Sequence, residues 1–426
     1  MQVKTLSVIG LGYIGLPTAA ILASRQYKVI GVDVNQHAVD TINAGNIHIV
    51  EPDLDIIVRS AVSEGYLRAV TQPEPADAFL MAVPTPFLPS ENGEPPKADL
   101  SYIQAASQAL APVLRPGNLV VLESTSPVGT TEKMAEWLAA ARPDLTFPQT
   151  HGESSDIRIA HCPERVLPGH VIRELVQNDR VIGGMTPKCS KAACDLYRIF
   201  VEGECILTTT RTAELAKLTE NSFRDVNIAF ANELSMICDK LEISVWELIR
   251  LANRHPRVNI LQPGAGVGGH CIAVDPWFIV DACPEQAKLI QSAREVNDHK
   301  PEWVVERIKV AIADAMAKKP CSTVADVNVA CLGLAFKPDI DDLRESPALE
   351  ITRKVTQLGC RVVAVEPNID TLPPSLNRPE IPVQTLDEAL RAADVVCVLV
   401  KHHPFIKAVD ALRSHPMVID AVGLFD

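Results

Sequence analysis

The sequence predicts an α/β protein with a doubly wound parallel sheet at each end and a helical region between them. Two observations predict this class. Short β-branched runs alternate with helical stretches in the first and last parts of the 426-residue chain, and long helical stretches occupy its middle third. Buried runs that alternate with helices are typical of parallel strands. We therefore expect three domains, at residues 1–207, 208–318 and 319–426.

The N-terminal elements follow one another closely. The strand candidates are LSVIG, KVIGVDV, AFLMAV and NLVVLES, and the helical stretch YIGLPTAAILASR separates the first two. Each run is short, apolar and bounded by turn residues, as buried parallel strands are.

The middle third predicts long helices. From Arg211 to about Leu241 the chain contains no Gly or Pro. Its apolar residues recur at helical spacing, among them Leu215, Leu218, Phe223, Ile228, Leu234 and Ile237. More helix is expected in SVWELIRLANRH and from Glu285 to about Met316, where Pro301 predicts the start of a new helix.

After a break at residues 318–322, the alternation returns. VNVACLGLAF, CRVVAVEP, DVVCVLV and PMVIDAVG are strand candidates, and SPALEITRKVTQLG is helical. No repeat of 20 to 50 residues and no low-complexity tract is visible in the sequence. A second α/β domain therefore closes the chain.

Composition excludes several classes of protein. The chain is 47% hydrophobic and 22% charged, so it is not disordered, and its net charge of −13 disfavours a nonspecific nucleic-acid or anionic-membrane surface. Eleven cysteines without a C-x-x-C pair argue against a disulfide framework and a zinc ribbon. The N-terminus lacks a basic leader, and no apolar run reaches 18 residues. We expect a cytoplasmic protein that neither enters a membrane nor binds nucleic acid.

A glycine fingerprint follows the first strand. Gly10, Gly12 and Gly15 form G-x-G-x-x-G between a strand and a helix, and Asp33 ends the second strand, 18 residues after Gly15. The three glycines permit a tight turn, close approach of a pyrophosphate and close helix packing, and the carboxylate binds the ribose hydroxyls. A glycine turn made for packing beside a surface aspartate is the alternative. The context favours a Rossmann-type domain that binds NAD rather than NADP.

Four further residues are expected at this cofactor. Tyr13 and Ile14 lie inside the fingerprint turn, and Thr85 and Thr125 each follow a strand candidate. Ligands of open α/β sheets bind at the carboxyl ends of strands. Either threonine taken alone could equally satisfy a loop amide.

Cys271 differs from the other cysteines in its surroundings. It follows the glycine-dense PGAGVGGH and precedes Asp275 in C-I-A-V-D-P. The loop lacks the G-K-[ST] ending of a phosphate-binding loop, which excludes a kinase or ATPase interpretation. A nucleophile on a mobile loop and an inert cysteine beside a turn remain as alternatives.

The long helix carries a polar stripe. Lys217 and Asn221 are four residues apart and therefore share a face, and Arg224 lies nearly in line with them. A solvated helix face is the alternative. The apolar residues around the stripe favour a largely buried helix, where such side chains need a ligand.

Six motifs in this chain resemble those of the nucleotide-sugar 6-dehydrogenases. They are GLGYIGLP, STSPVGTT, CPERVLPG, KLTENSFRDVNIAFANE, PGAGVGGHCIAVDP and LGLAFKPDIDDLRESPA. The resemblance implies oxidation of the sugar C6 alcohol to a carboxylate with two NAD. It also implies a homodimer through the central helices, with a UDP-sugar bound by the C-terminal domain.

The resemblance also implies the catalytic residues. Cys271 would form a thiohemiacetal and then a thioester, while Lys217 and Asn221 would donate to the substrate oxygen. Asp275 would orient water and relay protons, and Glu164 with Thr125 would position water for thioester hydrolysis.

The substrate-binding set comes from the resemblance as well. It comprises Arg165, Val166, Lys217, Asn221, Arg224, His255, Arg257, Gly268, Phe336, Lys337 and Arg344. His255 and Arg257 would reach the partner subunit's substrate, and Phe336, Lys337 and Arg344 the UDP end. For Lys337 and Arg344, surface charges neutralised by nearby aspartates are the alternative.

Departures from the family pattern concern the sugar. Pro168 and Val274 stand where the UDP-glucose branch has Glu and Lys, and Arg165 with E-R-V-L-P-G resembles the N-acetylmannosamine type. This favours UDP-N-acetyl-D-mannosamine, whose uronate serves enterobacterial common antigen and related polysaccharides, over UDP-N-acetylglucosamine. Val422 replaces a basic residue common in relatives, which puts one substrate contact in doubt.

Two further questions concern metal and catalysis. His161, His270, His402 and His403 show no metal-ligand spacing, so no metal is expected. A catalytically silent nucleotide-sugar-binding protein is the alternative to an enzyme, and the intact catalytic set favours the enzyme.

Overall fold

The chain forms two compact units, 1–220 and 221–426, in a computed structural model. The structure describes residues 4–49, 51–88, 96–166, 169–269, 271–318, 323–370, 372 and 381–426. The three-domain division at 207 and 318 stays a prediction. None of the helices in these ranges is long and apolar enough to cross a membrane.

The strands are β1 Thr5–Ile9, β2 Lys28–Val32, β3 Leu67–Val70, β4 Ala78–Met81, β5 Phe87–Leu88, β6 Lys97–Ala98, β7 Leu119–Leu122, β8 Arg158–His161, β9 Arg180–Gly184, β10 Cys205–Thr209, β11 Asn328–Leu332, β12 Arg361–Val365, β13 Val395–Val398 and β14 Val418–Asp420.

The α-helices are α1 Gly15–Ser24, α2 Gln36–Asn43, α3 Leu54–Ser63, α4 Ser101–Leu110, α5 Thr130–Ala141, α6 Pro148–His151, α7 Val171–Gln177, α8 Pro187–Tyr197, α9 Thr210–Lys240, α10 Val245–Ala252, α11 Asp275–Ala282, α12 Lys288–Lys318, α13 Pro347–Gln357, α14 Leu386–Ala392, α15 His403–Lys407 and α16 Val409–Ser414.

The first unit is built on an eight-stranded sheet. Its order is β10-β9-β8-β7-β4-β1-β2-β3. The six strands β8, β7, β4, β1, β2 and β3 are parallel, and β9 pairs antiparallel with β8. The order β3-β2-β1-β4-β7-β8 is that of dinucleotide-binding sheets, whose ligands bind where it reverses, between β1 and β4. The α/β prediction is confirmed here.

Apolar strands explain why this sheet lies between two helical layers. In β4, Ala78 and Leu80 belong to one buried cluster, and Phe79 and Met81 to another. Because side chains alternate across a strand, the two clusters lie on opposite faces of the sheet. Each face therefore needs helices to cover it.

The second unit contains the long α12 and a four-stranded sheet. The order β12-β11-β13-β14 is wholly parallel, which confirms the second α/β region. The helix predicted from 211 to 241 is α9, which is 31 residues long.

The predicted helix start at Pro301 is wrong. α12 runs through Pro301 from Lys288 to Lys318. Proline removes the hydrogen bond to the carbonyl four residues earlier, at Asn297, but it does not end a helix that tertiary packing holds on both sides. Val304, Val305 and the other buried residues of α12 supply that packing.

The two sheets repeat one loop arrangement that the sequence does not display as a repeat. Gly10 and Gly333, after β1 and β11, have φ values of 89° and 90°. Asp33 accepts the N–H of the residue after Gly10 at 2.9 Å, and Glu366 accepts that of the residue after Gly333 at 2.7 Å. In each sheet, the carboxylate after one strand fixes the loop after its neighbour.

Candidate active site

The fingerprint turn after β1 is shaped by close approaches. A Cβ on Gly15 would lie 1.7 Å from the carbonyl oxygen of Gly10, and one on Gly10 would lie 2.6 Å from that of Ala82. A Cβ on Gly12 would meet none of the described atoms within 4 Å, so the turn is open on that side. The N-terminus of α1 follows directly, and none of the described side chains caps it. The turn fits a pyrophosphate.

Asp33 lies beside this turn. Its two carboxylate oxygens accept the N–H groups of Leu11 and Asn35, each at 2.9 Å. Tyr13 is 43% exposed and Ile14, half-buried, directly precedes α1. The structure thus brings the fingerprint and the predicted ribose carboxylate together.

The two predicted threonines also lie together, at the ends of β4 and β7. The hydroxyl of Thr85 donates to the carbonyl oxygen of Thr125. The hydroxyl of Ser124 donates to the carbonyl oxygen of Val83 at 2.6 Å, which ties the same two loops. Both loops lie at the carboxyl edge of the sheet.

Glu164, after β8, is held by a buried arginine that sequence reasoning missed. Its Oε2 lies 2.6 Å from Nη1 of Arg180, and the two side chains are 7% and 2% exposed. Its Oε1 accepts the N–H of Arg165 at 2.7 Å. Burial disfavours the guanidinium charge, but Glu164, Cys162 and Tyr197 together more than offset this effect and raise the pKa of Arg180. Glu164 is therefore fixed in place at both oxygens.

A second buried acid was also missed. Glu123, directly after β7, accepts the hydroxyl of Tyr197 at 2.6 Å, and its other oxygen has no partner among the described residues. The ring of Tyr197 lies 5.5 Å from the guanidinium carbon of Arg180. Burial raises the pKa of Glu123 to about 7. Two features of the sequence could have indicated these residues. A carboxylate follows the apolar residues of NLVVLES, and an arginine is the first residue of β9.

The raised pKa of Glu123 predicts a pH dependence of stability. Between its unfolded value, near 4.5, and about 7, the folded chain holds a proton that the unfolded chain does not. Stability should thus fall as pH rises through this range, by about 3 kcal/mol in total for this group. Glu123→Gln should lack this loss in urea unfolding at pH 5, 6, 7 and 8.

The difference between wild type and variant isolates Glu123. Burial lowers the pKa of His161 to about 3, so His161 contributes stability that rises with pH up to about 6.5. This contribution is the same in wild type and variant, and it cancels in their difference. Parallel stability curves for the two proteins would contradict the assignment.

Arg165 and Val166 follow the fixed carboxylate. Arg165 pairs with Glu220 at 2.6 Å and donates to the carbonyl oxygen of Asp179 at 3.3 Å. Val166 packs against the core of the first unit. Pro168, the next residue used in the sugar assignment, lies outside the described residues.

α9 presents the predicted polar stripe. Lys217 is half-buried, Asn221 lies one turn later, and Arg224 is exposed. The amide of Asn221 donates to Oδ2 of Asp275 at 2.5 Å. Asp275, only 3% exposed, is the first residue of α11. The structure therefore joins two residues of the predicted catalytic set.

A buried ion pair holds α9 in register with α12 within the second unit. Arg294 pairs with Asp225, one turn after Asn221, at 2.6 Å, and Asn297 donates to the same oxygen at 2.8 Å. Burial raises the pKa of Asp225, against the opposing effect of Arg294. These contacts fix the part of α9 that carries Asn221.

Cys271 is exposed and lies one turn before α11. Its carbonyl oxygen accepts the N–H groups of Val274 at 3.1 Å and Asp275 at 2.8 Å. Cys283 is also exposed, whereas burial raises the pKa of Cys162 to about 12 and makes it inert. Cys271 is thus accessible and tied by its backbone to the pair of Asn221 and Asp275. His270 lies outside the described residues.

The glycines before Cys271 pack against the loop after β11. A Cβ on Gly268 would lie 2.3 Å from the carbonyl oxygen of Glu345, and one on Gly269 would lie 2.9 Å from the ring of Phe336. Glycine at both positions is required by this close approach. Phe336 and Gly268 therefore meet, as two members of the predicted substrate-binding set.

Lys337 and Arg344 lie on the same loop. Lys337 is exposed. Arg344 is 52% exposed and pairs with Asp342 at 2.6 Å. Arg344 therefore forms the ion pair with a nearby aspartate that the sequence analysis gave as the alternative. Contact between Arg344 and the substrate stays a prediction.

The remaining predicted positions are spread over the second unit. His255 and Arg257 are both exposed, and Nδ1 of His255 accepts the N–H of Arg257 at 3.3 Å. Val422 packs against the core of the C-terminal sheet. Among the residues that the structure describes, no group of three or more His, Cys, Asp or Glu could hold a metal.

Family models match three consecutive parts of the chain. Those of the UDP-glucose/GDP-mannose dehydrogenase family match residues 4–201 as the NAD binding domain, 211–299 as the central domain and 330–426 as the UDP binding domain. The chain belongs to this family. The predictions of a nucleotide-sugar dehydrogenase and of NAD as its cofactor are confirmed: the protein is an NAD-dependent oxidoreductase of a UDP-sugar.

Individual members of the family are similar over the whole chain. A protein of Ralstonia nicotianae named NDP-N-acetyl-D-galactosaminuronic acid dehydrogenase is 65% identical, over 99% of this chain and 96% of its own. The UDP-N-acetyl-D-mannosamine dehydrogenase of Escherichia coli K12 is 62% identical over the full length of both. Among solved structures, the UDP-D-ManNAc dehydrogenase of Pyrococcus horikoshii has a TM-score of 0.85 and 36% identity, over 99% of this chain and 96% of that one.

Asp33 should set the choice of cofactor in this dehydrogenase. We expect NAD to exceed NADP in kcat/KM, because a 2′-phosphate would face the carboxylate. Asp33→Asn keeps an oxygen for the N–H of Leu11 but removes the charge, and should shrink the preference by about tenfold or more. Asp40→Asn, an exposed site on α2, is the control. Equal kcat/KM values in wild type would exclude Asp33 as the discriminating residue.

Proposed function

We propose that the chain oxidises UDP-N-acetyl-D-mannosamine at C6 to UDP-N-acetyl-D-mannosaminuronate, with two NAD and one water consumed. The relatives named for this activity, at 62% and 65% identity, support the substrate. The observation that carries the chemistry is the hydrogen bond between Asn221 and Asp275. The backbone carbonyl oxygen of Cys271 accepts the N–H of Asp275, which places the cysteine one turn from this pair. The product would serve enterobacterial common antigen or a related surface polysaccharide.

Cys271 is the nucleophile of the proposal. NAD, when bound, accepts a hydride in each of the two oxidations. After the alcohol is oxidised, the thiolate of Cys271 adds to the aldehyde carbon to give a thiohemiacetal. Loss of the second hydride leaves a thioester, and water cleaves it to the carboxylate and the free thiol. Holding the intermediate covalently explains how one chain oxidises the same carbon twice.

The other residues of the set have separate tasks. Asn221 and Lys217 donate to the oxygen that becomes negative during each step. Asp275 holds Asn221 through its 2.5 Å bond, and it orients water and relays protons. Glu164, held by its arginine, orients water together with Thr125. These roles follow the family resemblance.

The sugar has a second candidate. The Ralstonia relative named for N-acetyl-D-galactosaminuronic acid is as similar as the relatives named for mannosamine, so the galacto sugar is the alternative. UDP-ManNAc, UDP-GalNAc, UDP-GlcNAc and UDP-glucose should be tested separately with NAD. UDP-ManNAc should give the highest kcat/KM and two NADH per sugar. A faster reaction with UDP-GalNAc would favour the alternative, and one NADH with a free aldehyde would exclude the thioester.

We further propose that the active form is a homodimer through the central helices. Phe223, Phe230 and Ile237 lie seven residues apart on α9 and are 71%, 52% and 44% exposed. An apolar stripe at this spacing is typical of helix pairing. The exposed His255 and Arg257 would then reach the partner's substrate, as the resemblance implies. Light scattering should give at least twice the mass of one chain.

A further inference from the structure

The loop that joins β11 to α13, residues 333–346, is held at several points by hydrogen bonds from its backbone N–H groups to side chains. Oε2 of Glu366, after β12, accepts the N–H groups of Leu334 at 2.7 Å and Ala335 at 3.1 Å. Further along the loop, the N–H of Asp339 donates to Nδ1 of His402 at 2.9 Å. His402 follows β13, so the loop after β11 is fixed from the ends of the two strands that flank β11.

The hydrogen bonds of His402 define its tautomer. The backbone N–H of Asp339 and the side-chain amide of Asn368, at 3.2 Å, both point at Nδ1, so Nδ1 carries no proton. Nε2 lies 3.1 Å from Oε2 of Glu366 and therefore donates to it. The side chains of His402 and Glu366 are both 0% exposed. A neutral histidine thus joins the loop to the buried carboxylate.

Asp339 is an anchor point rather than an ordinary loop residue. Its φ of 61° lies in the left-handed region, which a residue with a side chain adopts only when its surroundings hold it. Its carboxylate accepts the N–H of His403 at 2.9 Å and lies 2.9 Å from Nδ1 of that ring. The two histidines therefore hold both the backbone and the side chain of Asp339.

The held loop carries the contacts of the proposed site. Phe336 lies three residues before Asp339, and its ring covers Gly269. The N–H of Gly269 donates to the carbonyl oxygen of Arg344 at 3.3 Å, near the other end of the loop. Since Gly269 is two residues before Cys271, the segment ahead of the nucleophile rests on this loop.

We propose that His402 is a positioning residue of the dehydrogenase. It sets the loop 333–346 so that Lys337 meets the UDP diphosphate, Phe336 packs on the nucleotide and the segment before Cys271 keeps its place. The proposal rests on the proposed function, in which this loop binds the UDP end. A buried histidine satisfied by its neighbours without consequence for the ligand is the competing explanation.

Two variants separate the two bonds of His402. Asparagine places its side-chain oxygen where Nδ1 is, so His402→Asn keeps the acceptor for Asp339 and loses the donor to Glu366. Glutamine places its amide nitrogen where Nε2 is, so His402→Gln keeps the donor and loses the acceptor. The proposal attributes the position of the loop to the acceptor at Nδ1. His402→Gln should therefore weaken UDP binding more than His402→Asn does.

The test uses the full-length protein. Calorimetry gives Kd for UDP and for NAD, and mass spectrometry follows alkylation of Cys271 by iodoacetamide with and without UDP. His402→Gln should raise Kd for UDP by about tenfold, and His402→Asn by no more than about threefold. NAD affinity should stay unchanged in both. The difference in the rate of Cys271 alkylation with and without UDP should persist in His402→Asn and disappear in His402→Gln.

Other outcomes overturn the proposal. UDP binding at wild-type strength in His402→Gln would show that His402 does not position the loop. Equal weakening of UDP and NAD binding in both variants would show a general structural role. Failure of the wild-type protein itself to bind UDP would instead overturn the proposed function, and the two failures are thereby distinguished.

Discussion

Replacing Cys271 by serine is expected to lower the rate of uronate formation by about a thousandfold or more, with affinities for NAD and UDP-sugar within about threefold of wild type. A hydroxyl ionises far less readily than a thiol at neutral pH, and an ester formed in its place would hydrolyse slowly. Cys271 is exposed, so the substitution should not disturb the core. The measurement is NADH release at saturating ligands, together with calorimetric affinities.

The matched control is Cys283→Ser. Cys283 is also exposed and follows α11, outside the proposed catalytic set. This variant should retain wild-type turnover. If Cys271→Ser produced uronate at a rate comparable with the control, a covalent intermediate on Cys271 would be excluded.

Removing Arg180 is expected to destabilise the first unit by about 3 to 5 kcal/mol, because it leaves a buried carboxylate without its cation. Arg180→Met keeps most of the apolar contact with the rings of Tyr197 and Phe200, so the loss reports mainly the charge at Glu164. Urea unfolding followed by circular dichroism measures it. Uronate formation should also fall, since Glu164 would no longer be fixed.

Two comparisons sharpen this result. Arg211→Met breaks an ion pair with Glu132 of the same 2.6 Å length, but Arg211 is 63% exposed, so the expected loss is only about 0 to 1 kcal/mol. The double variant Arg180→Met/Glu164→Gln removes both charges and should recover part of the stability lost by Arg180→Met alone. Equal losses in Arg180→Met and Arg211→Met would contradict the role of burial.

Local patterns were sufficient to predict the glycine turn after β1 and the carboxylate beside it. The glycines after β1 and Asp33 after β2 are short-range features whose geometry follows from a strand, a turn and a helix. The 31 residues of α9 were likewise predictable, because an uninterrupted apolar period needs no knowledge of distant partners.

Long-range partners explain what the sequence could not predict. Arg180 meets Glu164 across 16 residues, and Glu123 meets Tyr197 across 74, so neither pair has a spacing that marks it. Sequence reasoning weighed His402 only as a metal ligand, because the loop that bonds to it lies 63 residues earlier in the chain. Pro301 shows the converse, since a strong local signal for a helix start was overridden by tertiary packing.

The bonds of Asp33 constrain how cofactor specificity could evolve in this protein. The carboxylate that would discriminate against NADP also accepts the N–H groups of Leu11 and Asn35, which shape the fingerprint turn and begin the approach to α2. A mutation toward NADP must therefore replace two acceptors as well as remove a charge. A single change that removes both acceptors would loosen the turn, so a full switch of specificity would need a compensating substitution elsewhere in the turn.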